Sequence, residues 1–130
     1  MKQLILILFG LSIQAAAVSA ELKQVYISGM INYSKVVELP KNAIFKVRLV
    51  DASLRDAKHK VISEQSLKVS SQPNFYQLPV DIKYINPSND YEVEAFIKVD
   101  GTSWFLNTSV QPVFTEATQD KADLNLDFVK

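Results

Sequence analysis

YEVEAFIKVDGTSWFLNTSV, residues Tyr91 to Val110, alternates apolar and polar side chains on both sides of the dipeptide Asp100-Gly101. Alternation at period two is the pattern of a strand with one buried and one wet face. An Asp-Gly pair between two such runs specifies a two-residue hairpin, because both turn residues accept positive φ. The turn in turn predicts a register: Val99 opposite Thr102, Ile97 opposite Trp104, Ala95 opposite Leu106 and Val93 opposite Thr108 on one face. The same register puts Phe96 opposite Phe105 on the other face, among Glu92, Glu94, Lys98, Ser103, Asn107 and Ser109. Phe96 and Phe105 are therefore candidate partner-binding residues, an aromatic pair projecting from a charged outer face. The alternative is that a loop such as DIKYINPSND covers them.

Working outward, the same alternation recurs along the chain. Val25, Ile27, Gly29, Ile31 and Tyr33 share one face of a first strand, and Ala43, Phe45, Val47 and Leu49 one face of a second. Pro40, which lacks a ladder donor, marks the turn between them. DASLRDAKHK, Asp51 to Lys60, is polar and reads as a loop, with at most one helical turn begun by Asp51 or Ser53. Val61, Gln65, Leu67 and Val69 suggest a third strand with Ile62, Glu64, Ser66 and Lys68 on its other face. FYQLPV is a fourth, confined to an edge by Pro79. In the turn-rich segment Asp81 to Tyr91, Tyr84 and Ile85 are expected to pack down as a plug. A last strand points Ala122, Leu124, Leu126 and Phe128 inward. Gly29 inside a strand pattern signals a bulge or a close approach of another segment. Short strands at this spacing, without a long amphipathic helix, predict an all-β domain, an antiparallel sandwich or small barrel of about seven to eight strands.

The first 20 residues have a secretory design: Lys2, the apolar run Leu4 to Ile13, then AAAVSA. Cleavage is expected between Ala20 and Glu21; an uncleaved N-terminal anchor is the alternative, but the apolar run is short for a span. Residues 21–130 then form one domain. Without Lys2 the chain carries thirteen basic and fourteen acidic residues, a net charge of −1. Such a chain has no basic stripe for nucleic acid and no cationic amphipathic helix for a membrane surface. It has no cysteine, so the core is held without disulfides or thiolate metal sites.

Signs of catalysis are sparse. His59, the only histidine, sits in the basic cluster Arg55, Lys58, His59, Lys60, near Asp56, and reads as part of a solvated loop. Zinc would need carboxylates beside it. No nucleophile elbow is present. Glu92 with Glu94, and Asp123 with Asp127, could serve glycoside hydrolysis or calcium, but charges are the ordinary filling of a wet strand face. No catalytic residue, metal site or cofactor is expected, and an envelope hydrolase is the least favoured function.

ELPKNAIFKVRLVDASLRDA, VISEQSLKV, the block YQLPVDIKYINPSNDYEVEAFIKVDG and ADLNLDFV together resemble the YscW/YbaY-type family of small envelope lipoproteins, which includes type III secretion pilotins. The resemblance runs from Val25 to Val129. Its most specific piece comprises Leu39, Pro40, Ala43, Val47, Leu49, Asp51, Ser53, Leu54, Asp56 and Ala57. It implies an all-β sandwich and a non-enzymatic chaperone that binds a secretin, or another outer-membrane secretion component, and assists its assembly. A general envelope protein without a secretin client is the alternative. Lipoprotein members require a cysteine after the signal cut, where this chain has Glu21; the expectation is therefore a periplasmic protein without a lipid anchor. In that compartment the acceptor patterns at Asn32 and Asn107 are chance matches.

Overall fold

The described residues form eight strands, β1 (Gln24–Tyr33), β2 (Ile44–Asp51), β3 (Lys60–Leu67), β4 (Phe75–Asp81), β5 (Tyr91–Val99), β6 (Thr102–Asn107), β7 (Pro112–Val113) and β8 (Leu124–Phe128). The computed structural model describes residues 23–54, 58–69, 72–115 and 120–130. The expected signal segment with its cut at Ala20 and Glu21, and Arg55, Asp56 and Ala57 of the polar loop, lie outside the described residues.

All eight strands belong to one sheet in the order β3-β2-β5-β6-β8-β1-β4, with β7 pairing β5 beyond the end of β6. Pairing is antiparallel except between β1 and β8. The sheet curls until its two end strands approach, where the Ser63 hydroxyl donates to the Pro79 carbonyl at 2.7 Å. The expected all-β domain is thus a nearly closed barrel. Pro79 lies on the terminal strand β4, as its missing N–H requires.

Alternation fills the interior. Ile27 and Ile31 from β1, Phe45, Val47 and Leu49 from β2, Tyr76, Leu78 and Val80 from β4, Val93, Ala95 and Ile97 from β5, and Leu124 and Leu126 from β8 form one core. No polar or charged residue among the described residues is fully buried. The Tyr76 hydroxyl donates to the Ala122 carbonyl at 2.6 Å. Burial, and then the Asp123 carboxylate, push the Tyr76 phenol well above its ordinary value, so it stays a neutral donor.

The hairpin turn forms as the Asp-Gly pair dictates, with φ of 51° at Asp100 and 78° at Gly101. Asn42 donates to Asp100 at 2.7 Å, tying this turn to the one at Pro40. The register, however, shifts two residues later. Val99 faces Thr102 and Lys98 faces Ser103, but Ile97 then faces Phe105 and Phe96 faces Leu106. Trp104 is the extra residue of a β-bulge, and one inserted residue exchanges the faces of everything beyond it. Phe105 therefore does not join Phe96 outside. It is fully buried, with its ring centroid 5.7 Å from that of Tyr33 and 5.2 Å from that of Phe128.

A second bulge shifts the β2–β3 register between Leu49 and Val50, so that Leu49 faces Ser63 and Val50 faces Val61. Ile62 packs against the core while Val61 is exposed, the reverse of strict alternation. Of the expected plug only Ile85 packs inward; Tyr84 is exposed and ends a short 3-10 turn, Ile82–Tyr84.

The polar connection after β2 contains no helical turn among its described residues. Its Asp51 and Ser53 clamp the turn before β5: Asp51 accepts from Ser53 N–H and from the Asn89 amide, both at 2.9 Å, and Ser53 Oγ accepts from Asp90 N–H. Bonds from Ser53, first from its side chain, together with Asn89 and the Lys60 charge, hold the Asp51 carboxyl below its ordinary 3.8. A depressed folded-state value contributes stability that is present in full above the unfolded value and disappears as pH falls through the folded one. Asp51→Asn is accordingly expected to lower the urea midpoint at neutral pH, and the gap from wild type should close below about pH 4. Equal gaps at both pH values would show that the charge contributes nothing.

Candidate functional site on the outer face of β5

Beyond Leu106 the chain leaves β5. The Asn107 side chain takes the place of a strand there: its Oδ1 accepts from Ala95 N–H at 2.8 Å and its Nδ2 donates to the Val93 carbonyl at 3.0 Å. Val93 N–H donates to the Gln111 carbonyl, and β7 rejoins β5 with Val113 facing Tyr91 and Pro112 facing Glu92. A side chain, Gln111 and β7 thus pair with β5 along this stretch, while Thr108, Ser109 and Val110 lie outside any strand. Two adjoining concavities result, of about 440 and 750 Å³, sharing His59, Glu92 and Val110. Phe96 and Leu106 border the smaller one, and Pro112, Val113 and Phe114 the larger.

Phe96 is half-buried on this outer face. The Arg48 guanidinium lies 4.7 Å and the Lys98 ammonium 4.9 Å from its ring centroid, a cation–π arrangement that accounts for an aromatic among charges. Its cross-strand apolar neighbour is Leu106, 36% exposed, rather than Phe105. Val110, 65% exposed, extends the apolar rim. On the Arg48 side of Phe96, Glu64 accepts from Lys46 at 2.9 Å and from Arg48 at 3.1 Å. These bonds, that from Lys46 foremost, lower the Glu64 carboxyl below its ordinary value.

His59 lies in the loop before β3, as the sequence predicts, but it is part-buried and has a side-chain partner. Its Nδ1 lies 2.9 Å from Glu94 Oε2, and one potential ligand atom from each of His59, Glu92 and Glu94 falls within 4.8 Å of the others. Asp123 and Asp127 do not converge with them. Asp123 accepts from Met30 N–H at 2.9 Å, and Asp127 accepts from the Thr108 hydroxyl. A second exposed apolar patch, with no counterpart in the sequence reading, lies on the outer face of β1 and β4. There Met30 faces Phe75 and Tyr26 faces Pro79, with Met30, Phe75 and Tyr26 about half exposed.

Comparison with known proteins agrees with this architecture. A pilotin from the type II secretion system of Vibrio cholerae, described as an alternative pilotin, superposes with a TM-score of 0.74 at 32% identity, over 83% of this chain and 99% of that one. The uncharacterized lipoprotein YbaY of Escherichia coli K12 is 31% identical over 107 residues, 81% of this chain. The chain spans 56% of the length of that relative. Residues 22–126 match the family described as type III secretion system lipoprotein chaperone. With that match covering most of the chain, and with the barrel shared by a solved pilotin, the protein belongs to the YscW family.

Proposed function

We propose that this protein is a pilotin-like periplasmic chaperone that binds a segment of a secretin, or of another outer-membrane secretion component, and assists its assembly without covalent chemistry. Both the family description and the structural neighbour are of chaperone or pilotin proteins rather than enzymes, which supports the reading. The observation that carries it on this chain is the groove left where β6 departs from β5, rimmed by Phe96, Leu106 and Val110 and flanked by charges. An apolar strip with a polar surround suits an extended segment with spaced apolar side chains. Secretion by a cleaved signal and action without a lipid anchor are part of the same proposal, motivated by AVSAELK, Ala17 to Lys23.

Phe96→Ser combined with Leu106→Ser is expected to weaken capture of the client about tenfold or more, while the protein stays folded and unfolds in a single cooperative transition. Unchanged capture would reject the groove, and loss on Met30→Ser with Phe75→Ser instead would move the site to the β1–β4 face. In a deletion strain, normal levels of secretin multimers would favour a general envelope role over a secretin client.

A further inference from the structure

The alternating pattern of β5 places Glu92 and Glu94 side by side on the outer face, where a cross-strand cation would ordinarily offset them. The residue opposite Glu92 is Val50, and that opposite Glu94 is Arg48. Arg48 is turned away: its guanidinium pairs with Glu64 at 3.1 Å and lies over Phe96. Among the described residues the Glu92 side chain has no hydrogen bond or ion pair, and the Glu94 side chain pairs only with His59. Two carboxylates and one imidazole thus gather with no full counter-charge, at the wall shared by the two concavities.

We propose that His59, Glu92 and Glu94 form a binding site for a divalent transition-metal ion of the zinc class. One imidazole nitrogen and two carboxylate oxygens are a borderline-soft donor set suited to zinc, whereas oxygen-only sets suit calcium and magnesium. The donor atoms already lie within 4.8 Å of one another. Tetrahedral zinc holds such donors at about 2.0–2.2 Å from the metal, so side-chain rotations suffice to close the set. The two glutamates stand on a strand paired with β2 throughout, and Asn107 and β7 secure its other edge. Only His59 comes from a loop, so the ion would fasten the β2–β3 connection to β5. With three protein ligands, further coordination positions open toward the groove and take water or a group presented by a bound segment. The site does not depend on the pilotin reading, because metal uptake is measured on the protein alone.

The test is zinc titration of the tag-free protein after chelator treatment, by calorimetry and by thermal unfolding. Saturable uptake of one equivalent with a rise in melting temperature is expected, absent from both His59→Ala and Glu92→Gln. Glu92→Gln is the decisive variant, since Glu92 takes no part in the His59–Glu94 contact. No saturable uptake by the wild-type protein would overturn the proposal. So would uptake that survives Glu92→Gln, which would reduce His59 to an isolated surface ligand, and so would equal uptake of calcium that survives His59→Ala. A urea midpoint unchanged in both variants without zinc would show that the losses are not misfolding.

Discussion

Phe105→Ala is expected to destabilise the protein by about 3–5 kcal/mol, the range for emptying a fully buried aromatic site. The Phe105 side chain is 0% exposed and meets both Tyr33 and Phe128 edge-on. These neighbours sit on β1 and β8, so neither can collapse into the space without disturbing the parallel seam that joins the two ends of the chain. Against a typical stability of about 5–15 kcal/mol, such a loss leaves little margin. Urea unfolding checks it, and the control is Phe96→Ala, expected to cost about 1–2 kcal/mol because it removes two cation–π contacts and partial burial. Equal costs for the two phenylalanines would refute the bulged register.

Gly29→Ala is expected to cost about 3 kcal/mol or more, although the substitution adds a single methyl group. A Cβ at this position would stand 2.0 Å from the Ala122 carbonyl oxygen and 2.6 Å from its carbon. Both are backbone atoms, so no side-chain rotation relieves the clash. The segment Asp120–Ala122 ahead of β8 must move away from β1, breaking the bonds from Ser28 N–H to the Asp120 carbonyl and from Ala122 N–H to the Ser28 carbonyl. Tyr76, whose hydroxyl bonds to that same Ala122 carbonyl, loses its partner as well. Glycine is needed here for space alone, since its φ is not in the left-handed region. Urea unfolding is again the measurement, and a cost under about 1 kcal/mol would mean that this close approach does not exist in solution.

The resemblance motif now has a physical account in its described part. Asp51 and Ser53 join the end of β2 to the turn before β5, and thereby align the strands that carry Glu92, Glu94 and Phe96. Leu39 and Ala43 are half-buried beside the core, at the turn that Asn42 ties to the hairpin. These are structural tasks, and none of the motif's described residues contributes a side chain to the His59 cluster.

The sequence by itself determined the all-β class, the Asp100-Gly101 turn, the inward faces of β1, β2, β5 and β8 and the edge position of Pro79. These follow from local rules, strand alternation and turn stereochemistry, that act within a few residues. Only the tertiary structure decided the two bulges, at Ile62 and Trp104, because the inserted residue costs little locally and its position is chosen by which side chains fill the barrel. That choice buried Phe105, left Phe96 outside with Leu106, and opened the groove where Asn107 stands in for a strand. It also brought His59 beside Glu92 and Glu94, more than thirty positions away in the chain. No local pattern encodes that meeting, because it depends on β2 lying between β3 and β5 and on Arg48 turning toward Glu64.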